Sequence, residues 1–129
     1  NMVAYCWHSV PGYSKIGSYT GNGDADGPFV YTGFRPAFVM MKEHTDSSTN
    51  WVIYDNTRGV NAYNSVKINL YPNLTNAEGD ASLDYDFVSN GFKIRTSNAG
   101  INANSDKYLY MAFAEQPNDT PYQTEPNAR

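Results

Sequence analysis

Trp51, Tyr54, Asp55, Asn56, Arg58, Tyr63 and Asn64 fall along one β-like run and the loop that leaves it, and they are residue types that bind sugars. Indole and phenol rings stack on the faces of sugar rings, while amide, carboxylate and guanidinium groups read hydroxyls. The competing reading makes Trp51 and Tyr54 core anchors and the rest a polar loop. Asp84 and Asp86 lie two apart, so on a strand they project from one face, the kind of pairing that cleaves glycosides. A catalytic acid needs a raised pKa from burial, whereas these acids fall on a face expected to be wet and opposite Arg95, so they read as partners in an ion pair. Asp24 and Asp26 before Gly27 have the oxygen-rich character of a calcium-loop opening, but a full ligand set is missing and a solvated turn is expected. Gly12 to Gly17 is one residue too long for a nucleophile elbow, and the glycines of 21–27 lack the spacing of a dinucleotide fingerprint. His8 and His44 stand apart from any serine–aspartate or metal-ligand spacing. The expectation is a protein that is no enzyme, with no catalytic residue, no metal and no cofactor.

The elements that would carry these residues are short. The chain has 129 residues, enough for one core without staples. Its apolar fraction of 40% and its 11 Tyr exclude a disordered chain. A net charge of −4, with Lys and Arg scattered singly, gives no footprint for nucleic acid. No run approaches the roughly 20 apolar residues of a membrane-spanning helix, so membrane insertion is not expected. Cys6, the one cysteine, rules out an intrachain disulfide and reads as a buried, inert thiol. Asn1 is no natural initiator, so a piece of a longer polypeptide is expected.

β-Branched and aromatic runs alternate with Asn, Gly, Asp, Ser and Pro clusters, and helical periodicity is nearly absent. Strands are expected over 2–8, 14–20, 28–31, 37–43, 51–55, 66–71, 85–88, 92–96 and 107–114. That spacing predicts an all-β fold, a two-sheet antiparallel sandwich of jelly-roll or lectin-like type. Runs 37–41 and 51–54 are apolar on both faces and are expected to pair as central, doubly covered strands. Asn90-Gly91 predicts a two-residue type I′ hairpin that sets Phe87 against Ile94, Tyr85 against Thr96 and Asp86 against Arg95. Segments 56–65 and 72–82 read as surface loops.

Val3 to Pro11 looks like a diverged copy of Leu109 to Pro117, with Trp7 matching Phe113 and Pro11 matching Pro117. Such a repeat suggests a tandem array. The organisation expected is a junction strand shared with a preceding repeat over 1–12, a sandwich over 13–116 and an extended tail over 117–129.

The runs Gly12 to Gly23, Tyr31 to Val39, Trp51 to Asp55, Asp86 to Lys93 and Tyr110 to Glu115 resemble a repeat domain common in tail-fibre and related virion proteins of tailed bacteriophages. In that family the domain often stands in tandem or beside a laminin-G or concanavalin-like domain. The resemblance implies a non-enzymatic structural protein on the virion surface, a distal fibre or appendage domain that assembles with copies of itself and with other virion proteins. It also implies contact with host cell-surface polysaccharide. No established binding residue of the family carries over. The alternative is a carbohydrate-binding module of a secreted bacterial enzyme.

Overall fold

The computed structural model describes residues 1–45, 48–61 and 64–116. Its strands are β1 (Ser14–Thr20), β2 (Phe29–Tyr31), β3 (Pro36–Glu43), β4 (Val52–Asp55), β5 (Val60–Asn61), β6 (Ser65–Asn69), β7 (Gly79–Val88), β8 (Gly91–Ile94) and β9 (Lys107–Ala114). One short helix, α1 (Ala99–Asn102), precedes β9. One sheet runs β1-β9-β3-β4 and the other β2-β8-β7-β6-β5, with every pairing antiparallel. The two pack against each other as the all-β sandwich the sequence predicts.

Period-two alternation builds the interior. In β9 Tyr108, Tyr110 and Ala112 point inward and are buried, while Leu109, Met111 and Phe113 lie on the opposite face. Val39 and Met41 of β3 add to the same layer, and Leu83, Tyr85, Phe87, Phe92 and Ile94 arrive from the facing sheet. Each such side chain contributes about 1.5–3 kcal/mol on burial.

A core rich in tyrosine needs partners for its hydroxyls. Tyr19 donates to the Ile101 carbonyl at 2.8 Å, Tyr54 to Leu83 at 2.8 Å and Tyr108 to Ala99 at 2.7 Å. The Ala103 amide donates to the Tyr108 hydroxyl at 2.8 Å. The Tyr19 and Tyr108 bonds tie α1 and its flanks to the strands, and the Tyr54 bond joins β4 to β7. The buried Asn102 completes the clasp, its amide nitrogen donating to Asn22 Oδ1 and to the carbonyls of Asp24 and Thr96.

Several expectations change. Residues 1–9 carry no ladder and are exposed, so 2–8 is not a strand and Cys6 is an exposed thiol instead of a buried one. Strands β3 and β4 do pair, but β4 lies at the sheet edge, and among the described residues no further layer of strands covers their outer face. The hairpin turns at Ser89-Asn90, because Val88 pairs with Gly91. Neither turn residue has positive φ, and a type I′ turn is therefore absent.

Phe87 faces Phe92, Tyr85 faces Ile94 and Asp86 faces Lys93, a slip of two residues from the expected register. A two-residue slip keeps every side chain on its face, so the buried set is unchanged. Gly91 is needed for another reason: a Cβ there would collide with the Val30 carbonyl of β2. Strand β7 starts well before Tyr85, its register against β6 shifting between Val66 and Ile68, with Ser82 at φ 56. The tail over 117–129 lies outside the described residues.

Candidate functional site

The residues expected to bind sugar divide between interior, surface clasp and groove. Tyr54 is fully buried, its ring 4.5 Å from that of Tyr85 and its hydroxyl bound to Leu83, which removes it as a stacking platform. The expectation for this residue is corrected: β4 turns Tyr54 inward because the alternation that leaves Ile53 and Asp55 half-buried on the outer face buries Val52 and Tyr54.

Asp55 ends β4 and closes the turn after it. One carboxylate oxygen accepts from the amides of Thr57 at 2.9 Å and Arg58 at 2.8 Å, and the other meets Arg58 Nε at 2.8 Å. Arg58 also reaches Glu78 at 3.1 Å. Asn56 and Asn64 converge on a second cluster. Asn56 donates to Glu115 at 2.8 Å, Glu115 pairs with Arg35 Nε at 3.0 Å, and Arg35 donates to Asn64 at 2.8 Å and to the Phe87 carbonyl. These polar groups mostly satisfy one another. Tyr63 lies outside the described residues.

Three further acids are ion-paired. Asp84 meets Lys67 at 3.3 Å and Asp86 meets Arg95 at 2.8 Å, the latter as the sequence predicts. Asp26 meets Lys93 at 2.7 Å, and its hydrogen bond and charge interaction with this lysine hold its carboxyl below the usual range. Asp24 Oδ1 accepts from the Asp26 amide within the turn. Among the described residues no three His, Cys, Asp or Glu side chains converge on a metal position, and no helix is long and apolar enough to cross a membrane.

Trp51 belongs to a different surface. On the outer face of the β1-β9-β3-β4 sheet it lines, with Tyr5, Trp7, Phe38, Met40 and Phe113, an apolar groove of about 530 Å³. The apolar surface continues past Met111 to Ile16 and Leu109. Leu109 is 47% exposed and Trp7 52%. Sequence reasoning assigned 37–41 to a covered strand and missed this face. Its signal was present in the two-sided apolarity of β3, which marks an outer face as apolar without saying what covers it.

The fold and surfaces define a β-sandwich module with an apolar outer sheet face among the described residues. The chain belongs to the family described as "Domain of unknown function (DUF7483)", whose model matches residues 1–117. That match takes in the segment 1–9 together with the sandwich. No curated protein and no solved structure matches the chain.

Proposed function

We propose that the chain is a non-enzymatic structural domain of a phage virion, a distal part of a tail fibre or related surface appendage, displayed with copies of itself where it meets host glycans. The observation that carries this reading is the outer face of the β1-β9-β3-β4 sheet. Its groove-lining side chains are uncharged; Tyr5, Trp7 and Leu109 are exposed and Phe38, Met40, Trp51, Met111 and Phe113 are half-buried among the described residues, which is the character of a protein–protein contact. The charged side chains on this face, Lys42, Asp55 and Lys107, stand at its strand ends and leave the groove between them uncharged. Copies held together in this way multiply weak single-site contacts with a host surface into avidity.

Sedimentation velocity across a concentration series tests the assembly step. The reading expects oligomers that Met40→Glu converts to monomers with the fold retained. A wild-type chain that stays monomeric at the highest concentrations contradicts it. The second reading, a carbohydrate-binding module of a secreted enzyme, draws on the same fold and on an aromatic crevice described below. A catalytic domain beside this one in the parent polypeptide would favour that alternative.

A further inference from the structure

The open flank of the sandwich, where edge strands β1 and β2 belong to different sheets, holds a crevice that the sugar-site residues of the sequence do not include. One hollow of about 370 Å³ is lined by Ser9, Lys15, Tyr31 and the backbone at Gly12 and Gly33. A second, of about 320 Å³, adjoins it across the same two glycines and reaches Arg35, Ser89 and Glu115. Each is of the size that takes a small ligand, about 300–1,000 Å³. Gly12 and Gly33 have φ of 69 and 88, so side-chain-free backbone forms the shared wall.

We propose that this crevice binds an acidic saccharide, a sugar unit carrying a carboxylate, with Tyr31 as the stacking face and Lys15 as the charge partner. Tyr31 is 64% exposed, and its hydroxyl has no hydrogen-bond partner among the described residues. Lys15 sits on the inward-facing row of β1 with Gly17 and Tyr19, opposite the small Ala112, and its half-buried side chain lines the hollow at the flank. Among the described residues no carboxylate pairs with it.

The other charges in the crevice, Arg35 and Glu115, neutralise each other at 3.0 Å. What remains is one cation beside one open ring. A single carboxylate on a sugar ring whose apolar C–H face can stack matches that pair better than a polyphosphate, which calls for several cations. The side chains of Ser9, Ser14 and Thr32 already bond to backbone and fix the walls. This inference deepens the host-glycan part of the proposed function by naming its site and chemistry. It is tested on the isolated chain, so it can fail while the assembly reading stands, and the reverse.

The test is a heteronuclear NMR titration of the whole chain with tetragalacturonate and with sialyllactose, against maltotetraose and a short poly-glutamate peptide. The expected result is shift changes at Lys15, Tyr31 and Gly33 with at least one acidic sugar, and at least tenfold weaker response to the neutral sugar and the peptide. Lys15→Gln and Tyr31→Ala should each weaken acidic-sugar binding about tenfold while the rest of the spectrum stays in place, and Lys107→Gln should not weaken it. No change at these residues up to millimolar acidic sugar overturns the proposal. So does equal binding of the neutral sugar or the peptide, or binding that survives both crevice variants in folded protein.

Discussion

Arg35 and Glu115 meet at 3.0 Å and tie the turn before β3 to the end of β9, while Arg35 reaches onward to Asn64 and to the Phe87 carbonyl in the opposite sheet. The two side chains are 30% and 41% exposed, so the ion pair itself is worth less than about 1 kcal/mol. Losing the bond to the Phe87 carbonyl adds about 1 kcal/mol. Arg35→Ala should therefore lower stability by about 1–2 kcal/mol in urea titrations with an unchanged m value, and Glu115→Gln by less than about 1 kcal/mol.

Tyr54 is a core residue with a structural hydroxyl. Tyr54→Phe leaves the Leu83 carbonyl without its donor and should cost about 1–3 kcal/mol. Tyr54→Ala should cost about 3–5 kcal/mol. Neither depends on sugar being present. A Tyr54→Phe variant of wild-type stability would contradict this placement.

Gly91 and Gly79 make a matched pair for backbone approach. A Cβ at Gly91 meets the Val30 carbonyl and lies 3.0 Å from the Phe29 ring, whereas one at Gly79 meets nothing within 4 Å. Gly91→Ala should cost about 1–3 kcal/mol and speed amide exchange in β2 and β8. Gly79→Ala should stay within about 0.5 kcal/mol of wild type.

Alkaline pH should unfold the domain through its tyrosines. Desolvation raises Tyr54 and Tyr85 well above the ordinary phenol value and pushes Tyr108 up to about 12. A folded pKa above the unfolded one contributes stability that is complete below about pH 10 and is lost as pH climbs through the folded value. Denaturant midpoints should hold up to about pH 10 and fall between about pH 10 and 12, with the last rise in tyrosinate absorbance accompanying loss of near-UV circular dichroism. A midpoint that is flat across that window would contradict the burial of these phenols.

Strands β1 and β9 were legible to the residue because alternation and flanking turn residues agree there. The beginning of β7 was not: Gly79-Asp80-Ala81-Ser82 is polar and small, and a register shift breaks the alternation on which a strand is recognised. Asn90-Gly91 misled because glycine serves close approach as well as positive φ, and a single sequence does not separate the two uses.

The sugar-site reading grouped residues adjacent in sequence, but β4 sends Tyr54 and Asp55 to opposite faces. Lys15 and Tyr31 come together only through the stacking of two sheets, which local pattern does not encode. Cys6 sits in an apolar run that reads as buried, yet the segment 1–9 joins no sheet, so its apolar side chains stay exposed.

Gold-labelled antibody raised against this domain, applied to intact purified particles of a phage that encodes it, addresses the proposed role most directly. The account predicts several gold grains clustered on a tail appendage of each particle. Unlabelled particles, with the chain recovered instead from culture fluid fused to a catalytic domain, would contradict it.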